Sequence, residues 1–388
     1  MTDLARPIGA PAPSTPPWAN AARRLASGIL LPVLAVVTAL LIGAIVIWLT
    51  SGGFRDPGAA FQKVLDAYQG LLDGAFLSPR GFTETLVATT PYIFTGLAVA
   101  FAFQGGLFNV GAEGQFYIGS VAAAWAGYAL QLPPVIHLLF ALSMGALGGA
   151  VWGMIPGYLK AKTGAHEVIN TIMLNYVAFL LVDWLVNGPM KSASGTAPKT
   201  PDVYPSARIP ALLPSPDRLH GGIFLAILAA IFAWWFLYKT TFGFEIRTVG
   251  ANPHAAKYAG IRLTRIAVLT FAIAGAFAGL AGGVEVLGLQ HNLPAFFSAG
   301  YGFDSIAIAL LAKANPIGVI PAAFLFGALR NGADLMELRS GASKQIISVI
   351  QALILLFIAA PNIIRWIYRL RTPESTIEER PLTRGWGG

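Results

Sequence analysis

Cysteine is absent from the 388 residues, so no disulfide, iron–sulfur cluster or thiolate zinc site can form. Charge is also scarce, with Asp, Glu, Lys and Arg together at 11%. The five histidines, His137, His166, His220, His254 and His291, are scattered without metal-ligand spacing, and no HExxH occurs; no metal site is expected. There is no GxxxxGK(S/T) phosphate loop and no GxSxG elbow, which excludes an ATPase built into this chain and a serine hydrolase. Acids do fall among apolar residues, at Glu113, Glu167, Asp183, Glu285 and Asp304, but none forms a recognisable acid–base pair, so no catalytic residue is expected. What abounds is apolar sequence: 55% hydrophobic residues and a mean hydropathy of +0.65, in runs that approach the ~20 residues needed to cross a bilayer. The fold class expected is an all-α polytopic membrane protein. The net charge of +8 and pI of 9.7 would suggest nucleic acid in a soluble domain, but here the basic residues flank apolar runs, where membrane topology accounts for them. The lipid bilayer, and no nucleic acid, is the partner this implies.

Residues 1–24, rich in Pro, Ala and Thr at their start, read as a disordered cytoplasmic tail. The run from Gly28 to Thr50 is too long for a signal-peptide core and reads as an uncleaved first span with its N-terminus inside. Further spans are expected near 85–104, 115–131, 135–158, 168–187, 222–239, 266–287, 303–313, 317–334 and 345–363. About ten crossings within a transmembrane domain of 25–370 put Lys160, Lys162, the loop 240–265, Lys313, Arg365, Arg369 and Arg371 on the cytoplasmic side, with 371–388 a cytoplasmic tail. Segments 51–83 and 188–221 fall outside. Residues 303–313 are too few to cross alone at ~1.5 Å per residue and read as a half-helix or re-entrant piece. Between 61 and 76 the apolar residues Phe61, Val64, Leu65, Tyr68, Leu71, Leu72 and Phe76 share a stripe that suits a membrane-surface helix or one packed on the bundle.

This count has a symmetry: units of four spans at about 85–187 and 266–363, of opposite orientation, flank the single span 222–239. Inverted repeats recur in transporters and place the solute path at their interface. Each unit carries a Gly-rich polar interruption, GGLFNVGAEGQFYIGS at 105–120 and SAGYGFDSIAIALLAKANPIG at 298–318. Backbone so interrupted must be buried in protein or line a wet cavity. Asn109, Glu113, Gln115, Asn175 and Asp304 are therefore the candidate pathway residues; a capping role for the two acids, and an interhelical hydrogen-bonding role for Asn175, stay open. Glu167 and Asn170 stand at a helix start, where a carboxylate complements the dipole, while Glu285 lies near an extracytoplasmic end.

Within the basic loop, Asn252 is a good N-cap, Pro253 fits the first helical position, and Gly260 can end the helix in a left-handed conformation. With Ala255, Ala256 and Ala259 small enough for close approach, 252–260 is the kind of short rigid helix by which a soluble partner can push a membrane protein.

Four segments in order, GLFNVGAEGQFYIGS at 106–120, HEVINTIMLNYVA at 166–178, GFEIRTVGANPHAAKYAGI at 243–261 and SAGYGFDSIAIALLAKANPIG at 298–318, resemble the permease subunits of bacterial ABC importers. The branch is that of ribose and branched-chain amino-acid permeases, and the likeness is to its purine-nucleoside members, which work with a basic-membrane-protein-type lipoprotein. It covers roughly 80–365. The resemblance implies a fold similar to the cobalamin permease and a non-catalytic chain in the bacterial inner membrane. It further implies a second permease subunit in a heterodimer, ATP-binding subunits that hold ATP and Mg, and an extracytoplasmic substrate-binding lipoprotein or periplasmic protein. HAAKYAG at 254–260 is similar to the loop through which such importers touch their ATPase, with His254 where glutamate often stands. The resemblance implies ATP-driven nucleoside import; a simple-sugar permease, or an ion-coupled secondary transporter, is the alternative.

Overall fold

A computed structural model describes residues 17–193, 197–295, 297 and 300–369 of the chain. The elements run α1 (Pro17–Thr50), α2 (Pro57–Leu72), α3 (Pro79–Gln104), α4 (Ala112–Ala129), α5 (Pro134–Thr163), α6 (Glu167–Asn187), α7 (Gly222–Lys239), α8 (Thr241–Ala251), α9 (Pro253–Tyr258), α10 (Leu263–Glu285), α11 (Tyr301–Leu311), α12 (Pro316–Ser340), α13 (Gln345–Ala359) and α14 (Pro361–Ile367). No strand occurs among the described residues, only isolated bridges between Lys199 and Pro294 and between Ala211 and His220. Proline supplies many of the starts, because its missing N–H lies where the helix has no partner to offer. Asp56, Ser78, Asn252 and Asn315 stand immediately before Pro57, Pro79, Pro253 and Pro316, and each side chain accepts a first-turn N–H.

Nine of the ten expected spans fall largely on one helix each, and 345–363 is divided between α13 and α14. Six helical stretches are long and apolar enough to cross a membrane: Leu30–Thr50, α3, α5, α6, α7 and Leu263–Gln290, the last extending α10 through a π-helical turn. The pair α13 and α14, bent by 92°, adds a seventh if it forms one span. α11 is short at 11 residues, as expected, whereas α12 is long enough but carries Arg330 and Asn331 at its middle. α1 begins at Pro17, so residues 17–24, expected as tail, are helical; WANAARRL is rich in helix formers behind a proline suited to the first turn. Residues 1–16 of that tail, and the tail 371–388, lie outside the described residues.

Helices of the two expected four-helix units pack on one another. α3 of the first lies against α12 of the second, as α10 of the second lies against α5 of the first; α4 meets α10, and α11 meets α3. The α5–α10 contact is made by glycines four residues apart, Gly145, Gly149 and Gly153 against Gly275 and Gly279, whose missing side chains let backbone meet backbone. In lipid, where apolar burial between helices gains little, this close van der Waals packing is what holds spans together. The stripe on α2 is split: Val64 and Leu71 are buried, with Gly70 against the backbone of Leu335 on α12, while Phe61, Leu65 and Leu72 are exposed. Tyr68 donates from Oη to the Leu40 carbonyl at 2.5 Å and so ties α2 to α1.

Residues 200–209 of the long segment 188–221 are laid along the π-helical turn and loop that follow α10. Thr200 N–H donates to Leu293 O (3.0 Å), Val203 N–H to His291 O (2.8 Å) and Ile209 N–H to Leu287 O (3.0 Å). His220 closes this segment, 3% exposed, its Nδ1 accepting Gly222 N–H at 3.2 Å; burial, with the nearby His291 adding to it, pushes its pKa down to about 4.

Candidate solute pathway and coupling surface

The first polar interruption is pinned by its own side chains. Asn109 Oδ1 accepts Gly111 N–H at 3.0 Å and its Nδ2 donates to Gln115 Oε1 at 2.9 Å. From α6, Asn175 Nδ2 donates to Val110 O (2.9 Å) while its Oδ1 accepts Gly114 N–H (2.8 Å). Asn109 is 0% exposed, and Gln115 and Asn175 are equally buried. Four of the five candidates, Glu113 included, are thus brought together, with hydrogen bonds turned inward to backbone and to one another. Such a network satisfies the polar groups of a break that lipid would leave unpaired.

Glu113 joins the two interruptions. It sits in the first turn of α4, 2% exposed, and its Oε2 accepts the N–H of Gly302, in the first turn of α11, at 2.5 Å. Gly302 packs so tightly on the Glu113 backbone that a Cβ there would collide with it. The N-termini of α4 and of the short α11, each a partial positive charge, therefore converge on one carboxylate.

Asp304, the fifth candidate, faces the other way, into a cluster that sequence inspection missed. Tyr92 Oη donates to Asp304 Oδ2 at 2.5 Å and accepts from Arg330 Nη1 at 2.9 Å; Arg330 Nη1 lies 3.8 Å from Asp304 Oδ2. The Arg330 guanidinium stands 4.5 Å over the Tyr301 ring, and Tyr301 meets Tyr92 edge-on at 4.9 Å. Aromatic contacts continue from Tyr301 to Phe116 (5.9 Å), then to Phe297 (5.5 Å, stacked) and Tyr117. Tyr92 and Arg330 each lie near the middle of helices 26 and 25 residues long, yet the Arg330 and Asp304 side chains keep 28% and 29% of their surface open. A charged pair open to hydrocarbon at that depth is heavily disfavoured, so its open face belongs to a wet cavity or to another chain. The signal in the sequence was Arg330, the first charge after fourteen uncharged residues from Pro316; Tyr92 and Tyr301 carried none.

The remaining acids are structural in their contacts. Glu167 Oε2 pairs with Lys160 Nζ at 3.0 Å and ties the end of α5 to the start of α6. Asp183 Oδ1 accepts from Asn187 Nδ2 (2.8 Å), and Glu285 is buried with Gln290 Nε2 3.4 Å from its Oε1.

The short helix of the basic loop is α9, six residues long within the expected 252–260. Asn252 Oδ1 accepts Ala255 N–H at 3.1 Å, Pro253 occupies the first position, and Gly260 follows at φ +80° with nothing within 4 Å of its missing Cβ, so conformation alone demands glycine there. Ala256 is buried against the body. His254, Ala255, Lys257 and Ala259 point outward, and Tyr258 is 94% exposed. Just upstream, Gly250 of α8 lies directly on the backbone of Gln104 and Gly106, so the loop carrying α9 is seated on the first polar interruption.

A protein family described as the permease component of a branched-chain amino acid transport system matches residues 81–359. The chain belongs to this family. It is 41% identical to the guanosine ABC transporter permease protein of Bacillus subtilis over 88% of this chain and 96% of that one. It is 35% identical to a nucleoside ABC transporter permease protein of Lactococcus lactis subsp. cremoris (87% and 92%) and 34% identical to a glucose ABC transporter permease protein of Haloferax volcanii (84% and 86%). The chain is thus a multi-pass, non-catalytic permease subunit of an ABC transporter, a class that works with an ATP-binding subunit and a substrate-binding partner.

Proposed function

We propose that this permease carries nucleosides into a bacterial cytoplasm. Likeness to guanosine and nucleoside permeases over nearly the whole chain carries the reading. Ten crossings, in two inverted units similar to the cobalamin-type permease, set both termini in the cytoplasm of an inner-membrane protein. The reciprocal packing of α3 on α12 and α10 on α5 supports that arrangement. A second, non-identical permease completes the translocation unit. A lipoprotein or periplasmic binding protein delivers the solute, and ATP and Mg act on the partner ATPase.

Asp304 lines the solute path in this reading, while Asn109, Glu113, Gln115 and Asn175 form its wall where α4 and α11 meet. The ATPase docks on Asn252, Pro253, His254, Ala255 and Gly260, while Ala256, expected among them, is buried and anchors the helix to the body. Motion of α9 reaches the wall by packing alone, from Gly250 to Gly106 and on to the start of α4. Simple sugar is the second reading, favoured by the glucose relative. The experiment is uptake of labelled guanosine and glucose by vesicles holding the complete transporter, with and without ATP inside. Guanosine accumulation that needs ATP supports the proposal; glucose alone supports the second reading.

A further inference from the structure

We infer that Arg330, held over Tyr301 and paired with Asp304, is the residue with which the permease itself selects the base of its solute, favouring a purine with an oxygen at position 6. The inference rests on the nucleoside reading and adds the selecting chemistry to it. Three elements converge on the spot: α3 gives Tyr92, α11 gives Tyr301 and Asp304, and α12 gives Arg330. Nothing about folding requires the pair. Apolar side chains of similar volume would stabilise the helix contact at least as well, and a partly open ion pair amid spans is retained where it meets a solute or water.

The chemistry of the cluster narrows the solute. Arg330 and Asp304 cancel in charge, so a phosphorylated solute gains no net attraction. The guanidinium is a planar donor fork held flat over the buried Tyr301 ring at 4.5 Å, so the open groups that meet a solute are the fork of Arg330 and the carboxylate of Asp304. A guanidinium fork pairs with the O6 and N7 acceptors of a 6-oxopurine. A 6-aminopurine offers a donor in place of O6, and donor would face donor. The carboxylate of Asp304, an acceptor beside the fork, takes a ring or exocyclic N–H of the same base.

Inosine and adenosine differ in the substituent at position 6, so they isolate the fork. In the complete transporter with its binding protein saturated by either solute, the inosine-to-adenosine uptake ratio is measured for the native chain and for Arg330→Lys, which keeps the charge and loses the fork. The ratio is expected to fall about tenfold or more, the scale of one good bidentate pair. The double variant Arg330→Gln with Asp304→Asn leaves no unpaired charge and must show the same fall. Because each variant's adenosine uptake is its own reference, abundance does not enter. A native-like ratio in either variant that transports overturns the inference and leaves the nucleoside reading intact, and equal loss of both solutes in both variants overturns it too. Native transporter that imports neither nucleoside overturns the nucleoside reading itself.

Discussion

Glu113→Leu removes the carboxylate on which two helices start. Gly302 N–H would lose its acceptor in a site 2% exposed, and a buried donor left unpaired costs about 1–3 kcal/mol. The charge also complements the N-termini of α4 and α11, each such interaction contributing about 0.3–1 kcal/mol and more where partly buried. Together the loss is about 2–5 kcal/mol, a large share of the stability of a typical domain. Glu113→Gln keeps an oxygen for Gly302 N–H and forfeits mainly the charge, about 1–2 kcal/mol by the same figures. Thermal unfolding of the purified permease, followed with transport in the assembled complex, reads both. The Leu variant should melt clearly below the Gln variant and transport poorly, with Gln between Leu and native. Equal melting temperatures for Leu and native would refute the clasp, and so would Gln melting as low as Leu.

Gly260→Val forces a β-branched residue to φ +80°, at a cost of about 1–2 kcal/mol, so solute-stimulated ATPase activity should fall while Gly260→Asn retains it; equal stimulation in both would count against the helix stop. In this Cys-free chain, Asp304→Cys should react with a water-soluble thiol reagent and Asn109→Cys should not, since their native side chains are partly open and fully buried; labelling at 109 alone would reverse the pathway assignment. His220 has a folded pKa of about 4 against an ordinary 6.5, so the unfolded chain binds more protons between these values. Stability is complete above about pH 6.5 and is lost as pH falls towards 4, by up to about 3 kcal/mol. Amide exchange across 188–221 should therefore quicken at pH 5 relative to pH 7, and His220→Gln should flatten that dependence.

Positions of the apolar helices were legible because a run of ~20 apolar residues has few other uses. Both polar interruptions and the stop at Gly260 were also legible, since glycine and asparagine at those places have specific backbone reasons. What the sequence hides is partnership. It shows that Asn109, Gln115 and Asn175 are polar but not that the first two bond each other and the third bonds the backbone of Val110 and Gly114, and it shows Arg330 as a charge in a span without Tyr92 and Asp304 beside it. The stripe on α2 left its partner open for a related reason: periodicity marks an apolar face, while the neighbour that covers half of it, α12, is more than 250 residues away.

The central claim is ATP-driven passage of a nucleoside through this permease. Its most direct test is accumulation of labelled guanosine in vesicles containing both permeases, the ATPase and the binding protein. The account predicts accumulation that requires ATP, is blocked by excess inosine and is unaffected by excess glucose. Guanosine uptake driven by an ion gradient and indifferent to ATP, or accumulation of glucose with none of guanosine, would contradict it.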